Sequence, residues 1–88
     1  MLPDLLNARI AETIRTTIAE ERASADTASP VWRERCEVAQ IAMLSDPDRR
    51  IFISNIAERR GDAAASTLEQ SAKEMRTSAI FFLARKPS

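Results

Sequence analysis

Apolar residues recur along this chain at three- and four-residue steps, the spacing of one face of an α-helix. Leu6, Ile10, Ile14 and Ile18 fall four apart on a narrow stripe, with Leu2, Ala11 and Thr17 beside it and Arg9, Glu12, Arg15 and Glu20 facing away. That spacing predicts a first helix over 3–26, starting at Pro3 or Asp4. A stripe so thin covers one partner helix. The small polar segment ASADTASP, residues 23–30, reads as a fraying end and a connection. Ser29-Pro30 is a helix start, because the serine oxygen takes an orphan N–H and proline in the first turn loses no bond. A second helix is expected over 30–44. Trp32, Cys36, Ala39 and Met43 line one face and Val38, Ile41, Ala42 and Leu44 widen it, which makes this the most buried helix of the set.

Asp46-Pro47 repeats the start chemistry, with Asp46 as the cap, and opens a third helix over 47–60 that stops at Gly61. Phe52, Ile53, Ile56 and Ala57 share its apolar face. Arg49 and Arg60, at opposite ends, lie within roughly 20° of each other around the axis, and Arg50 and Arg59 flank that face on opposite sides. A fourth helix is expected over 63–84, capped by Asp62, with Ser66 and Glu69 offering a later start. Along it Ala65, Leu68, Ala72, Met75, Ala79 and Phe82 alternate three and four apart in a heptad seam of small and large residues. Such a seam fits an antiparallel hairpin or a dimer.

Composition agrees with helix throughout: one glycine and fifteen alanines leave no turn glycines for a sheet. Residues 1–88 are expected to form a single all-α domain, a compact bundle of about four helices, near the size at which a lone chain buries only about 60% of its surface. The longest apolar run, AIFFLA at 79–84, falls far short of the roughly 20 residues that cross a bilayer. The N-terminus lacks the basic start and long apolar centre of a secretory signal, so the mature chain is expected to begin at Met1. A single cysteine, Cys36, forms no internal disulfide and fits the reducing cytoplasm.

Thirteen basic residues balance thirteen acidic ones, and the balance stays flat along the chain, without the concentrated positive charge of a nucleic-acid binder. Enzyme chemistry is poorly supplied. The chain has no histidine and no tyrosine, and Cys36 has no imidazole to activate it, so it reads as a core or buried-edge thiol and the protein as no enzyme, with no cofactor. Glu34 with Glu37 and Asp46 with Asp48 are carboxylate pairs that read as solvated or capping charge, with no metal site. Arg60-Gly61-Asp62 spells an adhesion tripeptide, but helix end, turn and helix start account for the same three letters.

The third helix, the glycine and the fourth helix invite comparison with a DNA-reading helix-turn-helix. The apolar anchor is displaced to Leu68, however, and the would-be recognition helix alternates Glu69, Lys73, Glu74 and Arg76. A small DNA-binding regulator is therefore the alternative function. Arginine supplies eleven of the thirteen cations, six of them in the second and third helices, where a guanidinium fork suits a carboxylate or phosphate. Arg59 and Arg60, near a helix C-terminus, favour its dipole. Arg49 and Arg50 stand in a first turn, oppose the dipole, and imply an acidic partner within the protein or outside it.

The segments WRERCEV (32–38), DRRIFI (48–53) and RRGDAAASTL (59–68) together resemble a group of small bacterial proteins associated with phage and prophage regions. The likeness spans 31–76, leaves the first helix outside, and departs after Val38, where Ala39-Gln40 holds a place expected to be more polar or basic. It implies a bacterial cytoplasm and a small accessory protein that acts by binding, and carries no activity. The expected function is a non-enzymatic module for protein–protein interaction. Its partner-binding face would hold Trp32, Arg33, Arg49, Arg50, Arg59 and Arg60. The expected partner is an acidic protein surface, with nucleic acid less favoured, no membrane, and a homodimer formed along the first helix or the fourth-helix seam.

Overall fold

The computed structural model describes residues 2–85, with side chains from Leu5 to Arg85. Four helices follow one another: α1 (Leu2–Arg22), α2 (Pro30–Ala42), α3 (Asp46–Arg60) and α4 (Asp62–Arg85), and no strand forms among the described residues. The all-α bundle is as the periodicity predicts. The ends differ by a few residues, each for a local reason. The first helix stops at Arg22, short of 26, because the amides of Ala23, Ser24 and Ala25 each bond three residues back and tighten the last turn. Beyond it the Asp26 carboxylate accepts the Ala28 N–H and holds the chain in a turn.

Ser29 caps α2 as expected, accepting the Trp32 N–H at 3.1 Å. At α3 the cap is Ser45, which accepts from the Asp48 amide, and the expected cap Asp46 is the first helical residue. Serine takes the role because the chain is already extended there (φ −64°, ψ 164°), the conformation an N-cap requires. Gly61 alone joins α3 to α4, at φ 93° and ψ 161°. Positive φ at this one position fits the chain's single glycine; Asp62, the expected cap of the fourth helix, is instead part of its first turn.

The longest helix, α4, is the spine: it packs against each of the other three, α2 also touches α1 and α3, and the backbones of α1 and α3 do not meet. The heptad seam explains its place. Ala65, Ala72 and Ala79, seven apart, are buried with Leu68, and alanine lets neighbouring helices approach closely. The seam expected as a dimer face is therefore consumed within the chain. It loses the core toward its end: Met75 is half-buried and Phe82 is exposed. A seven-residue repeat on a straight helix drifts about 20° per heptad, so by Phe82 the large positions have rotated about 40° off the buried face.

Against this spine α1 sets Ile10 and Ile14, and α2 sets Val38, Ala39, Ile41 and Ala42. Val38–Ala42 makes α2, for its length, the most densely buried helix, as its wide apolar face predicts. On α1 the expected stripe starts one turn late: Leu6 is exposed, because α1 meets the core from Ile10 onward. The placement of Leu2 beside that stripe concerns a side chain outside those described. Cys36 is half-buried at the edge of α2.

Candidate functional site

Arginine ties this bundle together. At the end of α1, Glu21 receives a two-pronged bond from Arg35 of α2, Nε to Oε1 at 2.8 Å and Nη2 to Oε2 at 2.7 Å. At the end of α3, Arg60 donates to Glu37 of α2 at 2.6 Å. From the middle of α4, Arg76 Nη1 donates both to the Ala42 carbonyl (2.8 Å) and to Asn7 Oδ1 of α1 (2.9 Å).

The position of Arg49 follows from the same economy. Helix α2 ends at Met43 in ordinary helical conformation, with no glycine to fold its last carbonyls back on themselves. Arg49 donates to the Leu44 carbonyl at 2.7 Å and also bonds Asp46. Seen along its own helix it is a misplaced cation; seen from α2 it stands at the negative end of a neighbouring dipole. The acidic partner that its position implied is inside the protein.

Of the six residues expected to form one binding face, the structure therefore places Arg49 and Arg60 in intramolecular bonds. Arg33, Arg50 and Arg59 are exposed, and none makes a hydrogen bond or ion pair among the described residues. Trp32 is half-buried at the start of α2. Nor do the six share one surface. Arg33 and Arg60 line an open groove of about 910 Å³ between α2 and the start of α4, with Glu34, Glu37 and Cys36 on the same walls, so its charges cancel. Arg49 and Arg50 line a second groove of about 450 Å³, between the first turn of α3 and the middle of α4. Arg59 and Trp32 line neither.

The second groove has an excess of one sign. Arg49, Arg50, Lys73 and Arg76 meet there with only Asp46 and Glu69 in opposition, and Thr77 and Ile80 complete the wall. Burial pushes the Arg76 guanidinium below its ordinary pKa, nearby Arg49 pushes it the same way, and Asp46 opposes them. Two guanidiniums thus crowd one another beneath the groove, while Arg50 and Lys73 stand exposed on its rim. Lys73 and Arg76 were absent from the expected set. Their signal lay in the 100° step of α4, which puts Glu69, Lys73, Arg76 and Ile80 on one flank of the seam.

The Glu21–Arg35 pair sets a pH dependence. Hydrogen bonds from Arg35 hold the Glu21 carboxyl below its usual range, its charge adds to this, and partial burial acts the other way. A depressed folded-state pKa contributes stability that is present above the unfolded value and lost as pH falls through the folded one. Glu21→Gln should lower the urea midpoint at neutral pH by the equivalent of about 0.5–1 kcal/mol, a figure already reduced for solvent screening of a half-exposed pair. The gap from the parent should begin to narrow as pH falls past the ordinary glutamate value of about 4.3 and close only below the depressed folded one. Equal gaps at both pH values would assign the loss to packing instead of charge.

Residues 25–79 match the model for a family of unknown function, DUF7696, over more than half of the chain. The protein belongs to DUF7696. The matched span holds α2, α3 and α4 as far as Ala79, and leaves α1 outside. It contains the whole 31–76 region in which the sequence resemblance lay. All charged residues of the second groove fall inside it, as does Thr77. No curated protein and no solved structure matches the chain. Among the described residues, no helix of this DUF7696 member is long and apolar enough to cross a membrane.

Proposed function

We propose that the chain is a non-enzymatic binding module that docks an acidic segment of a partner protein in the groove between α3 and α4. The observation carrying this reading is the pair Arg50 and Lys73: two exposed cations on one groove, unpaired among the described residues, above two further guanidiniums already fixed by the fold. Arg49 and Arg76 set the potential and Arg50 and Lys73 meet the ligand. An exposed ion pair contributes only about 0.2–1 kcal/mol, so charge steers the partner and fixes its register more than it supplies affinity. The setting is the one the sequence resemblance implies, a bacterial cytoplasm and a phage- or prophage-associated accessory protein that modulates a host complex.

A DNA-reading role has less behind it. The helix that would enter a groove, α4, is the spine of the core and packs on all three other helices, and three of its first four residues are alanine. The test is an NMR titration at low salt with an oligoglutamate peptide and, separately, with a short DNA duplex. Peptide-induced shifts are expected at Arg50, Lys73 and Thr77. The double variant Arg50→Glu, Lys73→Glu should abolish them and leave the helical circular dichroism unchanged, because neither side chain bonds within the fold. Shifts centred on Arg33 or Arg59 would refute the assignment. A duplex that binds tighter than the peptide, with a steep salt dependence, would replace it with the nucleic-acid reading.

A further inference from the structure

Small side chains make up much of the core of this protein while several of its large apolar ones stay outside. Five of the eleven buried apolar residues are alanine, and only Ile10, Ile14 and Ile41 are large and fully enclosed. Phe81, by contrast, is 62% exposed, Leu5 60% and Leu6 58%, and Ile80 is exposed as well. Part of this surface is continuous: Leu6 from the second turn of α1 and Ile80, Leu83 and Ala84 from the last turns of α4 line a common apolar cleft, and Leu5 and Phe81 are the exposed chain neighbours of Leu6 and Ile80. Arg9 is the one charged residue on that cleft.

Overall dimensions agree that a surface is missing its cover. The chain exposes 6406 Å², against about 5,200 Å² for a compact monomer of its mass. The bundle is a slab 42 × 35 × 16 Å with a radius of gyration of 13.6 Å, against about 12 Å for a compact domain of this length. An excess of about 1,200 Å² per chain exceeds the roughly 800 Å² that each partner buries in a standard stable interface.

We propose that this apolar surface is the interface of a two-fold symmetric homodimer, in which Leu5, Leu6, Ile80 and Phe81 of one copy pack on the same residues of the other. A second copy is the fitting occupant because an isologous contact sets a patch against itself. An apolar patch is complementary to its own image. The cation groove, placed against its image, would set arginine on arginine, so the two surfaces, which adjoin at Ile80, divide between a second copy and a foreign acidic partner. The inference does not depend on the groove having a ligand.

Sedimentation equilibrium of the whole chain should return about 20 kDa, twice the 9.8 kDa protomer, at high micromolar concentration. Phe81→Glu and Leu5→Glu should each weaken association by roughly thirtyfold or more without loss of helical circular dichroism, since both side chains lie outside the core. Ile51→Glu, also exposed but on α3, should leave the dimer intact. Should a charged variant unfold, the parent protein still decides: amide exchange at residues 80–85 and 5–9 should slow on raising the concentration from dilute to associating. A monomer at all concentrations, or a dimer whose protection falls elsewhere, would overturn the proposal.

Discussion

Ile41→Ala should destabilise the fold by about 3–4 kcal/mol, the largest loss expected from any single truncation here. Ile41 is completely enclosed, near the end of α2, the helix that touches all three others. Removing three carbons from a fully enclosed side chain loses their burial and leaves a cavity behind. For a domain of this length total stability is about 5–13 kcal/mol, so the loss is a large fraction of the whole. At 4–8 °C per kcal/mol the melting temperature should fall by roughly 12–30 °C. Thermal melts followed by circular dichroism, at one fixed protein concentration so that association does not enter, give the measurement. Ile51→Ala is the control, since that side chain is exposed and its loss should be close to neutral. A change of less than about 1 kcal/mol at Ile41 would mean that α2 is not seated in the core as described.

Arg76→Ala should cost about 2–3 kcal/mol, more than any other change of a charged side chain. The guanidinium is half-buried and serves three helices: it projects from α4, satisfies the Ala42 carbonyl at the end of α2, and holds Asn7 of α1. Its loss strips a carbonyl at a fully buried residue of its donor, and the penalty is that of an unmade bond more than of a lost attraction. Arg76→Lys should recover only part, because one ammonium on a flexible stem does not reproduce the fixed guanidinium geometry that reaches both acceptors. Arg50→Ala, a guanidinium on the same groove without an intramolecular bond, should leave stability within about 0.5 kcal/mol of the parent. Urea denaturation of the three variants separates these outcomes. Equal stability of the Arg76 and Arg50 variants would remove Arg76 from its structural role and leave it free to join Arg50 and Lys73 in meeting the ligand.

That contrast shows where sequence reasoning failed. Local spacing identified Arg49 as an anomaly, a cation in a first turn, and the anomaly was real. Its resolution lies in the chain segment before it, because the Leu44 carbonyl of the preceding turn and the Asp46 carboxylate three residues back are the groups it serves. Arg60 likewise looked like a dipole companion of its own helix and is in fact tied to Glu37, twenty-three residues away. Arg35, counted among the six arginines of the second and third helices but left out of the expected binding face, clamps α1 to α2. Lys73 and Arg76 were read as half of a mixed-sign helix, whereas α3 delivers two more cations to their flank and none to Glu74.

Much that is governed by neighbours within a few residues was legible in the sequence alone: four helices, the serine cap at Ser29, the break at the one glycine, the alanine-lined seam, and the absence of imidazole and phenol chemistry, while the caps expected at Asp46 and Asp62 each proved to be first-turn residues. Helix formation and capping depend on bonds spanning three or four residues, which spacing records directly. The tertiary structure decided which arginines are engaged and which stand free, which helix is the spine, and that Phe81, Leu5 and Leu6 remain outside. A guanidinium reaches a carbonyl or carboxylate on any helix that comes near it, and a helix's burial depends on how many others lie against it. Those are distances through space, and the linear order of residues does not carry them.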